Sequence, residues 1–416
     1  MALTQFEETI VRSIAPRQGE LVDQLAKLVA IPTGGGNKAG LDACRAVLCD
    51  RLRALGASVS MVPGDAKPDW LSGGDVGGEN GPTTIPATAV CASESTAKAP
   101  RVLLCGHLDT VHNPRGAFQR LDMSSDGARG VGPGCMDMKG GILVAIAALE
   151  ALTAAGVRFP WTFVLNSDEE TGSFHSDRAI REQAAKHDVG LVFEPALPDG
   201  GLVVERPGSG QFVIHARGKA AHVGRDFKAG VNAIYAVAER SLACARLADP
   251  DRGKIVTIGV IKGGRATNIV PDEAAAWGNV RFGSPEVEAE LARELDAMGD
   301  SAGLSTIPAR PSVEVLRTFS RPAKPLTPEV QALANLARQT AQDLGQTLPF
   351  GKTGGVCDGN NIQAAGGRSI PVIDTLGVKG GGAHTGEEWI ELTSLMERAQ
   401  LAAVLMSRIA QGQLSA

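Results

Sequence analysis

Histidine is scarce in this 416-residue chain, at seven, so each imidazole can be weighed on its own. There is no surplus of positive charge. Lys plus Arg is 41 against 46 Asp plus Glu, a formal net charge of −5, so nothing points to nucleic acid or an anionic membrane as partner. There is no long apolar run either. The longest plain one, Ile142 to Leu149, falls far short of the roughly 20 residues a membrane helix needs. The seven cysteines are odd in number and scattered, with no Cys-x-x-Cys. This speaks against a disulfide framework or a thiolate zinc site and for reduced thiols, most of them small buried hydrophobes. The N-terminus carries Glu7 and Glu8 and lacks a charged-then-apolar secretory pattern. Together these absences predict a cytoplasmic protein. A Gly-x-Ser-x-Gly elbow is also missing. The nearest segment, Pro207-Gly208-Ser209-Gly210, has its glycine directly before the serine and lies between two expected strands, so a serine hydrolase lacks support. Apolar residues make up 43% and charged residues 21%, an ordinary globular composition, and the length suggests about two to four domains.

The apolar pattern over residues 4–30 has helical spacing, and Pro16 and Gly19 divide it into two helices. Another helix is expected over about 40–55. Residues 63–85, rich in Gly, Pro and Asp, read as a surface loop between two strands. Strands at 101–106, 161–166 and 190–193 then alternate with helices at 139–155 and 176–186, the signature of a mostly parallel α/β sheet. After residue 206 the pattern changes. Strand 211–217, helix 231–247, strands 254–262 and 273–282, helix 285–298 and strand 312–317 follow in the ferredoxin-like order. A helix at 327–344 and a strand at 370–374 rejoin the first pattern. The expected organisation is therefore an α/β domain of residues 1–206 and 319–416, interrupted by a compact α+β domain at 207–318.

The polar residues fall at the ends of the first set of elements. His107 and Asp109 follow one strand, Asp168-Glu169-Glu170 a second and Glu194 a third. The strand at 370–374 runs into a glycine-rich loop holding His384, and Asp137 stands just before the helix starting at Lys139. Ligands of open α/β sheets bind outside the carboxyl ends of the strands. Two imidazoles and several carboxylates suit Zn²⁺ or a similar divalent ion, and carboxylates packed this way would repel strongly without a cation. A metal pair would neutralise them, with Asp137 bridging, and would hold and acidify a water. One of the adjacent Glu169 and Glu170 would then bind metal and the other take the proton.

These segments resemble a known family. Gly106-His107-Leu108-Asp109-Thr110-Val111, Asp137-Met138-Lys139-Gly140-Gly141, Asp168-Glu169-Glu170-Thr171-Gly172-Ser173, Phe193-Glu194-Pro195 and Gly218-Lys219-Ala220-Ala221-His222 are similar to the M20 family of dinuclear zinc peptidases and deacylases. So are Asn268-Ile269-Val270-Pro271, Thr353-Gly354-Gly355 and Ala383-His384. Within the family, Glu169 to Phe174 and Phe193-Glu194-Pro195 look most like the glutamate carboxypeptidase branch. The resemblance implies a catalytic domain with an inserted dimerisation domain, hence a homodimer. It implies two Zn²⁺ (or Co²⁺ or Mn²⁺) per subunit, His107 and Glu194 on one, Glu170 and His384 on the other, and Asp137 on both. Glu169 would be the general base, and Asp109 would hydrogen-bond the metal-binding His107. His222 would reach the partner's active site to hold the oxyanion or substrate. Asn268 and Arg281 would hold the carboxylate end of a small peptide or N-acyl amino acid.

The expected activity is hydrolysis of an amide beside a free carboxylate, first as a carboxypeptidase releasing C-terminal glutamate or a similar residue. The alternatives are an N-acyl-amino-acid deacylase of the acetylornithine or succinyl-diaminopimelate type, or a non-catalytic metal-binding relative. His112, His175, His187 and His215 match no ligand position, and Cys135 reads as a buried structural thiol.

Overall fold

The computed structural model describes residues 2–73, 85–299, 310–365 and 370–414. The chain forms two compact units. The first comprises Met1–Ala66, Gly81–Arg206 and Leu326–Ala416, and the second Lys67–Asn80 and Pro207–Pro325.

The first unit is built on a six-stranded sheet in the order Ala57–Val62, Thr88–Ser93, Trp161–Asn166, Val102–His107, Val189–Val192, Val372–Ile373. The last four strands run parallel, while the first two join antiparallel. The sheet is therefore mixed, and its parallel half carries the strand ends that matter for the site. The Val102–His107 strand is buried throughout, because both of its faces are covered. Val102 and Leu104 join one apolar cluster and Leu103 and Cys105 another, as strand alternation requires. The larger cluster includes Ile142–Leu149, the longest apolar run, which lies in the Gly141–Ala154 helix. A helix apolar all round belongs inside a large core, and this one packs against the Thr393–Ala410 helix. The Pro16 break is also realised. Helix Gln5–Ile14, capped by Thr4 and Glu7, meets helix Gln18–Val29 through a 3₁₀ turn at Ala15–Arg17.

The second unit has the ferredoxin-like arrangement. Its antiparallel sheet runs Lys254–Gly263, Glu273–Phe282, Gly208–Arg217, Ser312–Arg321, with helices Ala233–Ala245 and Pro285–Ala297. The last strand runs on to Arg321, which pairs with Ser209 beyond an irregularity after Thr318. The structural boundary accordingly falls at Pro325 instead of 318.

One expectation needs correction. The 63–85 stretch is not merely a surface loop. Asp69–Ser72 is a helical turn with Leu71 buried, and the Trp277 indole donates to the Trp70 carbonyl at 2.7 Å. Two apolar side chains, Trp70 and Leu71, explain why this turn settles on the second unit. Residues 74–84 of the stretch lie outside the described residues.

Candidate metal centre

The central strand Val102–His107 ends in His107, which is buried. Its neighbour Trp161–Asn166 leads into the 3₁₀ turn Glu169–Thr171. Glu194 follows two residues after Val189–Val192 and is also buried. Asp137 lies in the tight turn Cys135–Gly140 that opens the Gly141–Ala154 helix. Gly141 makes the approach of that helix possible, since a Cβ there would lie 1.9 Å from the Phe193 carbonyl oxygen. The glycine thus lets the Asp137 turn sit beside the strand that delivers Glu194. His384 occupies a turn with a left-handed backbone, φ 64°.

The two carboxylate oxygens of Asp137 face different imidazoles. Oδ1 lies 3.1 Å from His107 Nε2 and Oδ2 lies 3.4 Å from His384 Nε2. Glu194 Oε1 stands 3.9 Å from His107 Nε2, and Glu170 Oε2 3.2 Å from His384 Nε2. Donor atoms of His107, Glu169 and Glu194 lie within 4.8 Å of one another, and so do those of His107, Asp137 and Glu170.

Electrostatics record the crowding. Burial, with the charges of Asp137 and Glu169, pushes the Glu170 carboxyl up to about 8 and raises Glu194 well above the usual range. His384 is raised to about 9 by its hydrogen bond to Asp137 and the charge of Glu170. Burial opposes a charged His107, yet Asp109, Asp137 and Glu194 outweigh it and hold the imidazole well above its ordinary value. Burial likewise works against ionised Asp137, but the two imidazoles prevail and its carboxyl is lowered. The raised values of Glu170, Glu194 and both imidazoles favour bound protons that offset the crowded carboxylates. Glu170 Oε1 is buried with no hydrogen-bond partner among the described residues. Such an atom is costly unless something positive reaches it. A borderline nitrogen-and-oxygen donor set with an orphaned carboxylate oxygen fits divalent metal, which would displace those protons.

Comparison with known proteins agrees with this geometry. Residues 103–408 match the family described as peptidase family M20/M25/M40. The chain belongs to this family. Carboxypeptidase G2 of Pseudomonas sp. (strain RS-16) is 28% identical over 418 residues, covering 99% of this chain and 95% of that protein. Succinyl-diaminopimelate desuccinylase of Methylobacterium radiotolerans is 28% identical over 322 residues, 71% of this chain and 78% of that protein. The fold matches that of the YxeP protein of Bacillus subtilis, described as a dinuclear metal-binding peptidase of family M20. The TM-score is 0.66 and the identity 13%, with 95% of this chain and 99% of that one covered. As a member of M20 the chain is a hydrolytic enzyme, with carboxypeptidases and deacylases both among its relatives.

Asp109 serves this M20 site differently from the expectation. The backbone carbonyl of Asp109 is what lies 3.0 Å from His107 Nδ1, while its carboxylate is 3.6 Å away. That carboxylate accepts the backbone N–H groups of Glu169 and Glu170, at 3.2 and 3.0 Å. It therefore fixes the turn bearing both glutamates as well as the imidazole.

The three remaining predicted residues belong to the second unit. His222 lies on the two-residue strand Ala221–His222, opposite Ile269, and the Val223 N–H donates to the Asn268 carbonyl at 3.0 Å. Both side chains belong to exposed residues. Arg281 pairs with Ser209 at the far end of the Glu273–Phe282 strand. At about 3.4 Å per residue, the eight steps from Glu273 to Arg281 span about 27 Å. Asn268 precedes the Glu273 end of this strand, beside the separate two-stranded pair that holds His222, so the structure unites His222 with Asn268 and places Arg281 toward the strand's other end. The Arg281 guanidinium is half-buried, donates to Ser209 Oγ and the Val280 carbonyl, and makes no ion pair among the described residues.

Sequence reasoning missed Glu388. It is buried, and its carboxylate takes three backbone N–H groups of the Asp137 turn together with His112. Only its position four residues after His384 hints at this. The other histidines are engaged elsewhere. His175 contacts the Asp65 carbonyl, His187 the Gln183 carbonyl and His215 the Glu273 carboxylate. Cys135 is buried, and burial pushes its thiol upward, as suits a structural cysteine.

Proposed function

We propose that this chain is a two-metal amidohydrolase acting on an amide beside a free carboxylate, and that it works as a carboxypeptidase releasing glutamate or a similar C-terminal amino acid. The observation that carries the reading is Asp137, each oxygen of which faces a different imidazole, beside a Glu170 oxygen with no hydrogen-bond partner among the described residues. His107 and Glu194 would hold one ion, Glu170 and His384 the other, and Asp137 both; Zn²⁺ suits this set best. Bound metal supplies polarisation of the scissile carbonyl and an acidified water. Glu169, beside His107 and Glu194, takes the proton of the attacking water and passes it to the leaving amine. Asp109 holds Glu169 in place through its backbone N–H.

The lone half-buried guanidinium of Arg281 is suited to a substrate carboxylate, which its planar fork grips in bidentate fashion. His222 and Asn268 form a second group, at a two-stranded pair outside the sheet that carries Arg281. This separation supports their serving the active site of a second subunit, with His222 steadying the oxyanion. The second unit has an apolar face to match. Tyr235 and Leu242 on one helix, and Ile261 on the helix side of the edge strand Lys254–Gly263, are between 57% and 64% exposed. We read this face as the homodimer contact. All seven cysteines are free and buried, which supports a reducing, cytoplasmic setting.

The test is a substrate panel of folate-like acyl-glutamates, short dipeptides and N-acetyl or N-succinyl amino acids, run with and without chelator on zinc-loaded protein. Chelator-sensitive release of a C-terminal amino acid supports the carboxypeptidase reading. Preference for acetyl or succinyl groups moves the chain to the deacylases. Two bound metals with no turnover across the panel would mean a binding protein.

A further inference from the structure

Glu388 is 1% exposed. Its Oε1 accepts the N–H groups of Met136 and Asp137, at 2.8 and 2.9 Å. Its Oε2 accepts the Gly134 N–H at 2.8 Å and faces His112 Nε2 at 2.6 Å. Four donors on one buried carboxylate satisfy its lone pairs fully, the condition under which burying such a charge is tolerable. Three of them are backbone groups of the turn that carries Asp137. The same residue stands four positions after His384, directly before the strand Trp389–Glu391. One side chain thus ties the loop of Asp137 to the loop of His384, whose facing atoms lie 3.4 Å apart. His107 and Glu194 are placed otherwise, by the ends of two strands of the main sheet. His112 in turn is held edge-on against Phe118, ring centres 5.2 Å apart.

We infer that Glu388, oriented by His112, is a positioning residue chiefly for the metal position built from Asp137, Glu170 and His384, two of whose ligands ride on the loops it ties, and less for the one that His107 and Glu194 share with Asp137. The inference rests on the two-metal reading above. It assigns to the two positions unequal dependence on one outer residue.

The experiment titrates the full-length protein with Zn²⁺ against a chromogenic chelator, and in parallel records the visible spectrum on stepwise addition of Co²⁺. Glu388→Gln keeps the size but turns a donor toward backbone N–H groups. It should weaken one of the two sites by about 10- to 100-fold, weaken the other by a clearly smaller factor, and alter the spectrum of one Co²⁺ more than that of the other. At saturating metal, kcat should fall while KM holds. His112→Phe keeps the ring against Phe118 and removes the donor. It should weaken the same site by a smaller factor, and it carries the test if Glu388→Gln does not fold. Wild-type affinities and unchanged Co²⁺ spectra in the folded variants overturn the role, as does equal weakening of both sites. The wild-type titration stands apart: fewer than two sites there would overturn the two-metal reading itself, and this inference with it.

Discussion

Two buried clusters of charge in the first unit look alike and behave oppositely. In one, Arg408 lies between Glu7 and Asp343, at 2.6 and 2.8 Å, with all three side chains 3% exposed. Burial raises both carboxyls, but hydrogen bonds outweigh it, those of Arg408 among them, and both end below their ordinary values. In the other, Glu170 and Glu194 are raised instead. All four carboxylates are 10% exposed or less, and the clusters differ in their source of positive charge. The first carries its own cation on the neighbouring helix, whereas the second leans chiefly on imidazoles, which must surrender their protons to bind metal. A buried carboxylate cluster short of cation is built for one that arrives from outside.

That contrast can be broken in order of expected effect. Glu169→Gln should lower kcat by about 10²–10⁴-fold, the usual share of a general base, while elemental analysis still finds two metals. Loss of metal would make Glu169 a ligand instead. Arg408→Met strands two buried carboxylates and should cost about 3–5 kcal/mol in urea unfolding, with or without metal. Chelation of the wild type should destabilise too, but reversibly on returning Zn²⁺.

The pH slopes should also be opposite. Glu7 and Asp343 have lowered values, so their contribution is present above their ordinary 4.5 and 3.8 and is lost as pH falls through the lower folded values. Glu170 is raised from 4.5 to about 8, so the metal-free protein loses stability as pH rises across that window. Bound metal should flatten this second slope, and Arg408→Met the first. Thermal unfolding between pH 3 and 9 reads both. Smaller again is the regain on mixing subunits. Each His222→Ala or Glu169→Ala homodimer should be poorly active, and mixed dimers should recover one working site. No recovery would confine His222 to its own chain. Least affected should be Arg101→Ala, which removes an exposed pair with Asp188 and should cost under about 1 kcal/mol.

The candidate ligands His107, Glu170 and Glu194 were legible because each follows a hydrophobic strand, and a charged residue there must meet either solvent or a ligand; Asp137 precedes a helix and His384 lies in a turn. The ferredoxin-like order was legible from periodicity alone. Other features were hidden for physical reasons. Glu388 and His112 are 276 positions apart, and nothing local marks either as buried. The structural turn at Asp69–Ser72 looked like a loop because Gly, Pro and Asp dominate its surroundings, although Trp70 and Leu71 were the exception. The sequence reading also did not reach the Thr393–Ala410 helix, where Leu395, Ala399, Ala402, Ala403 and Met406 are all buried. Asn268 and Arg281 seemed to be partners, but Asn268 lies by a separate two-stranded pair before the Glu273 end of the strand, and Arg281 lies eight residues along it.

Gly141 has a consequence for anyone redesigning this enzyme. Because a Cβ at this position would stand 1.9 Å from the Phe193 oxygen, the separation between the Asp137 turn and the Glu194 strand is gauged by a single hydrogen atom. Even alanine would force helix and strand apart by more than an ångström. A library that spares all five proposed ligands but varies this glycine will therefore mis-set the spacing of the Asp137 turn and the Glu194 strand. The position belongs among those to be frozen before substrate range is altered.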